Sequence, residues 1–278
     1  MKKGTEPFSV GFWTKVVDRA EAALASGAMH SFECTLEFVE DQGVEFVLRV
    51  ATKLPAGETA AGRTGAAPTL PPDPFATPEP ALVVGDLTPT HRALLNKYSV
   101  LREHLLVVTR EYEDQRAPLN ERDFEALALC MEGAEVLAFY NGGAEAGASQ
   151  SHKHLQVVTL PLSPRHSVPM DARLGGAEKL PFRHGFARLA QGEVADAARM
   201  LWMYRSLSEV AGLETPRPYS LLVTNEWMLV VPRSRDRFKG VSINSLAFAG
   251  SFFARDAKHA HAIAASHPMS VLASVALP

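Results

Sequence analysis

The strongest constraint on the fold is a series of short β-rich runs joined by turns and only rarely by helices. "FECTLEFVE" (32–40) and "VEFVLRV" (44–50) flank Asp41-Gln42-Gly43 and read as a hairpin. "YSLLVTNEWMLVVP" (219–232) reads as a second hairpin, turning at Asn225-Glu226. Between them lie "ALVVGD" (81–86), "HLLVVT" (104–109), "VLAFYN" (136–141) and "HKHLQVVTLPL" (152–162), each a strand candidate. Hairpins outnumber βαβ units. The expected class is therefore α+β, an antiparallel sheet with helices packed mainly on one side.

Helical spacing is found over 8–26, with Gly27 as a stop, over 122–131, and over 192–212, closed by Gly212. From Ser245 onward the pattern also reads as helical. Residues 55–80 are rich in Pro, Gly, Ala and Thr without apolar period and read as a surface loop. Residues 163–180 read as irregular.

The chain has 278 residues, 46% of them apolar, enough for a large core. Its formal charge of −3 argues against general nucleic-acid binding. No run has the length and apolarity of a membrane span, and no apolar run follows the opening "MKK" as a signal peptide would require. Cys34 and Cys130 each sit in an apolar stretch, as thiols do in a reducing compartment. The expectation is a cytoplasmic protein without membrane or nucleic-acid partners.

Chemistry concentrates in "YNGGAEAGASQSHKHLQ", residues 140–156. On a strand, His152, His154, Gln156 and Val158 face one way, and Lys153, Leu155 and Val157 the other. Two histidines and an amide in one row are costly on a buried face unless they serve a ligand. Cα atoms of His154 and Gln156 would lie roughly 6.5 Å apart, within reach of one phosphate. Gly142, Gly143 and Gly147 allow turn amides to form an anion nest, and Ser149 and Ser151 add hydroxyls. Neutral imidazole can attack phosphorus to give a nucleotidyl-histidine. Gln156 can donate a hydrogen bond but cannot act as an acid. The same H-x-H spacing also occurs at metal sites, although no carboxylate shares the row and the cysteines fall outside any C-x-x-C.

These residues carry a resemblance. "HKHLQ" resembles the H-x-H-x-Q signature of the transferase branch of the histidine-triad superfamily, which includes the galactose-1-phosphate uridylyltransferases. The longer run from Tyr140, with Leu94 to Gln115, Arg217 to Ser234 and Ile243 to Arg255, is similar to the ATP adenylyltransferases, or diadenosine tetraphosphate phosphorylases. The resemblance implies the sheet fold of that superfamily. It also implies phosphorolysis of diadenosine tetraphosphate to ATP and ADP through an adenylyl-histidine. It makes His154 the nucleophile, His152 its support and Gln156 the group that steadies the transferred phosphate.

Substrate contacts implied in the same way are Lys53, Asn96, Lys97, Asn141, Gly147, Ala148, Ser149, Gln150, Asn244, Ser245, Leu246, Ser251 and Arg255, and Ser151 joins them as a hydroxyl donor on the residue reading alone. Ser151 stands where members often have proline, and Arg255 where lysine is usual. Residues 1–170 would carry the H-x-H-x-Q strand and nucleotide loop, and 171–278 the C-terminal half, packed as one unit. The implied partners are small nucleotides and phosphate. No tightly bound cofactor is expected, and a divalent cation such as Mg can accompany the polyphosphate. The other readings are a transferase of the uridylyl kind and a nucleotide-binding module without turnover.

Overall fold

The computed structural model describes residues 8–53, 73–101, 103–176, 179–214 and 216–278. Most of the surface loop expected over 55–80 lies outside the described residues.

The elements follow the apolar pattern. Helix α1 (Phe8–Ala25) precedes the hairpin of β1 (Glu33–Asp41) and β2 (Val44–Lys53). Then come β3 (Val83–Asp86), β4 (His91–Leu95), β5 (His104–Thr109) and α2 (Glu121–Met131). Strands β6 (Val136–Gly142) and β7 (His154–Thr159) flank the glycine-rich loop. β8 (Gly185–Arg188), α3 (Ala197–Val210), β9 (Tyr219–Val223) and β10 (Trp227–Pro232) follow. The chain closes with β11 (Ser251–Ala254), α4 (Ala257–Ala264) and α5 (Pro268–Val275).

One eight-stranded sheet runs β8-β10-β9-β6-β7-β5-β4-β3, with antiparallel pairing throughout. A second, three-stranded sheet runs β11-β2-β1. Inward-facing Leu105, Val107, Leu155, Val157 and Leu221 meet Phe12, Phe124 and Tyr204 of the three long helices on one face. Leu137, Phe139, Val158 and Leu222 on the other face meet Phe46, Phe252, Ile263 and Leu272, from the second sheet and the last two helices. The long helices thus share one side, and the histidine row faces the other.

One expectation needs correction, and one strand had no expectation. The segment after Ser245 is not uniformly helical. A 3-10 turn (Ser245–Ala249) stops at Gly250, whose φ of +91 suits glycine. Strand β11 follows and pairs in parallel with β2 from Ser251↔Val47 to Ala254↔Val50. Phe252 buries against Phe46, and that long-range contact overrides the local period. His91–Leu95, which carried no strand expectation, pairs with both β3 and β5.

Candidate active site

Strand β7 starts at His154, and the residues leading into it pair with residues 113–115, His152 bridging Asp114. The Gln115 amide donates to the Ser151 carbonyl at 2.8 Å, and the Lys153 amide to the Glu113 carbonyl at 2.8 Å. Buried Gln115 then grips His154 by its backbone. Its Oε1 accepts the His154 N–H at 2.8 Å, and its Nε2 donates to the carbonyls of His154 (3.1 Å) and Asn141 (2.9 Å). Behind the strand, Lys153 ion-pairs with Asp123 of α2 at 2.8 Å, with both side chains fully buried. Lys153 is therefore an anchor, His154 faces the cavity, and His152 on the same row is buried against Asp73 and Thr109.

The His154 imidazole donates from Nδ1 to the His152 carbonyl at 2.8 Å. This bond places the ring proton on Nδ1 and the lone pair on Nε2. Burial lowers the ring's pKa to about 4, so it is neutral at physiological pH. The backbone of His152, more than its ring, does the orienting. Its own ring bridges Asp73 (Nδ1 to Oδ2, 2.7 Å) and the Thr109 carbonyl (Nε2 to O, 2.7 Å). Burial pushes Asp73 up, but the Phe75 amide and His152 hold it below the usual carboxylate value. Phe75 packs on His154, with ring centroids 5.2 Å apart. The described end of the expected surface loop is thus a wall of the site.

Across the sheet, buried His104 on β5 lies 2.8 Å from Gln156, Nε2 to Oε1. Burial lowers its pKa to about 4 as well. On its far side, Nδ1 stands 3.3 Å from Asn96 Nδ2.

The glycine loop folds differently from the expected nest. The amides of Gly143, Ala146, Gly147 and Ala148 donate to carbonyls of residues 141–144 and are engaged in the loop itself. Gly147 has φ +97, and a Cβ there would come within 3.0 Å of Asn244. The loop therefore packs directly on the 243–245 segment. Asn141 Oδ1 accepts from the Ser245 amide (2.9 Å) and hydroxyl (2.7 Å). Arg233, 1% exposed, donates to the carbonyls of Ala146, Ile243, Arg235 and Val275 and to the Ser220 hydroxyl.

Two cavities meet at Asn96, Tyr98, Ser149 and Gln156. One, about 450 Å³, is also lined by Phe75, Lys97, Gln150 and His154. The other, about 200 Å³, adds Arg49, Asn141, Gly147, Asn244, Leu246 and Ser251. Most of the expected contacts are thereby gathered. Ser245 acts through Asn141, and Ser151 lends its carbonyl to Gln115. Ala148 lines neither cavity and is held by its amide to Gly143. Lys53, exposed and 3.8 Å from Glu33, and Arg255 line neither cavity. The cation in the smaller cavity is Arg49, beside the Ser251 hydroxyl at 3.2 Å.

Sequence reasoning passed over Gln115, His104, Asp73, Phe75 and Arg49. Gln115 closes one of the family-like blocks, and alternation along 104–109 puts His104 on the face of Leu106 and Val108. Without the β5–β7 register, nothing aims that face at Gln156.

A family profile described as "Ap4A phosphorylase N-terminal domain" matches residues 4–175, and one described as "ATP adenylyltransferase C-terminal domain" matches 178–278. This chain belongs to the Ap4A phosphorylase family. A curated relative, diadenosine 5',5'''-P1,P4-tetraphosphate phosphorylase 2 of Saccharomyces cerevisiae, is 31% identical over 224 residues, 66% of this chain and 69% of its own. The crystal structure of yeast Ap4A phosphorylase Apa2 in complex with AMP superposes with a TM-score of 0.79 at 26% identity, covering 96% of this chain and 98% of that one. The same enzyme in complex with Ap4A gives 0.76 at 26% identity, covering 96% and 97%. Both family profiles contribute to the site, since Asn244, Leu246 and Ser251 line a cavity with Asn96 and Asn141. No described helix is long and apolar enough to cross a membrane, and no group of three His, Cys, Asp or Glu is placed to hold a metal among the described residues.

Proposed function

We propose that this chain is a nucleotidyltransferase that cleaves diadenosine tetraphosphate with inorganic phosphate to ATP and ADP, and in reverse transfers the adenylyl group of ATP. The observation that carries this reading is the His154 ring: neutral, fixed in one tautomer, and set in the wall of a cavity of about 450 Å³ beside Gln156. In the first step Nε2 forms a bond to the α-phosphorus of one adenylate, and the bond to the bridging oxygen breaks, releasing ATP. Positive charge growing on the ring is met by the His152 carbonyl at Nδ1–H. In the second step a phosphate oxygen attacks the same phosphorus, giving ADP and restoring His154.

Gln156 donates to the phosphoryl oxygens in both steps. It supplies neither an acid for a poor leaving group nor a base for water, which favours nucleotide leaving groups and an anionic acceptor. The amides of Ser149 to Ser151, next to the engaged loop, are the proposed acceptor contacts. Asn96, Asn141, Gly147, Asn244, Leu246 and Ser251 are proposed to hold nucleotide, and Lys97 the polyphosphate, with Lys53 and Arg255 as outer contacts. Mg would travel with the polyphosphate. The two free cysteines, Cys34 and Cys130, favour a cytoplasmic setting.

Chromatography of products from diadenosine tetraphosphate tests the reading. ATP and ADP are expected with phosphate, and little AMP without it. Rapid AMP release independent of phosphate would mean a hydrolase and remove the proposal.

A further inference from the structure

The Gln156 amide has two ends, and only its NH2 can serve a phosphoryl oxygen. We infer that His104 is a positioning residue that turns this NH2 toward the substrate, through a one-way chain of hydrogen bonds starting at the Tyr98 amide. The inference rests on the proposed transferase reading and deepens it.

The direction of the chain follows from groups that can only donate. The Tyr98 N–H donates to Asn96 Oδ1 at 3.3 Å, which sets the orientation of that amide. Asn96 Nδ2 therefore faces His104 Nδ1, at 3.3 Å, and Nδ1 must accept. The His104 proton then sits on Nε2, 2.8 Å from Gln156 Oε1, which accepts it. The NH2 of Gln156 is left to face the cavity it shares with His154. Sheet pairing holds the frame, because Leu106 pairs with Gln156 and His104 with Val158, and the Asn96 amide donates to the His104 carbonyl at 2.9 Å. His104 is 7% exposed and neutral, so Nδ1 stays an acceptor. Without His104 the amide could reverse and set its oxygen against the phosphoryl oxygens, where like partial charges repel. The loss would be felt as negative charge grows on the transferred group, more than on substrate binding.

His104→Leu removes the donor at similar volume, and His104→Gln restores an NH2 near the position of Nε2. His104→Leu should lower kcat for phosphorolysis at least roughly tenfold with KM within about threefold, and His104→Gln should recover most of that loss. In a Gln156→Ala background, His104→Leu should cost less than about threefold more. An undiminished loss in that background, or equal defects in folded His104→Leu and His104→Gln, would overturn the inference. Should the variants not fold, nitrogen-15 spectra of the parent decide. A proton on His104 Nε2 supports the chain of bonds, and a proton on Nδ1 ends it. If the parent shows no phosphorolysis, the functional reading falls, and the tautomer alone then judges the positioning of Gln156.

Discussion

His154 combines two properties that pull apart in water. Its lone pair is available because burial lowers its pKa to about 4, and its orientation is fixed because Nδ1–H donates to the His152 carbonyl. His154→Ala removes the covalent route. Turnover should fall at least roughly a thousandfold, and α-labelled ATP should leave no label on the denatured protein. Protonation would occupy Nε2. Labelling of the parent should hold across the neutral range and fall roughly tenfold per pH unit below about pH 4. Stability has its own pH window. The imidazoles of His104 and His154 go from about 6.5 in the unfolded chain to about 4 when folded. Between those values the unfolded state binds more protons, so the stabilisation is complete above about pH 6.5 and is lost as pH falls toward about 4. Each ring contributes on the order of 3 kcal/mol to that loss. Melting temperatures across the window, compared with His104→Gln, check it. A flat profile would mean the rings are not buried neutral.

At the scale of elements, the site is a meeting of loops braced from behind. The 143–147 turn engages its own amides internally, and Gly147 lets it touch Asn244. Arg233 then ties the turn, the 243 segment and the end of α5 with its guanidinium donors. Burial lowers its pKa to about 10, so it is a cation at neutral pH held by carbonyl dipoles. Arg233→Ala should destabilise by at least about 3 kcal/mol, because several buried carbonyls lose their partner at once. A urea midpoint within error of the parent would contradict this. Asp73 and Phe75 show the same logic at the other wall, where a segment with no sequence period is held by a carboxylate and a ring against the histidines.

At the scale of the whole molecule, the eight-stranded sheet is continuous from β6 into β9, so the regions matched by the two family profiles share one set of backbone hydrogen bonds. The helices behind it join across the same boundary, with Phe124 of α2 against Tyr204 of α3. Calorimetry should therefore record a single transition with matching calorimetric and van't Hoff enthalpies. Two resolved transitions would mean that the halves fold independently.

Local pattern alone carried much of this protein. Alternation along 152–158 put His154 and Gln156 on one face and Lys153, Leu155 and Val157 on the other. The spacing of apolar residues located the three long helices, because each depends on neighbours three or four residues away. Tertiary structure decided what depends on pairing between distant segments. The β5–β7 register set His104 beside Gln156, Gln115 reached back to hold His154, β11 became a strand because β2 offered an edge, and Arg49 reached the cavity where Lys53 did not. A side chain's type is written in the chain, but the partner that fixes its proton, its amide orientation or its exposure comes from another strand, and no local period encodes which one.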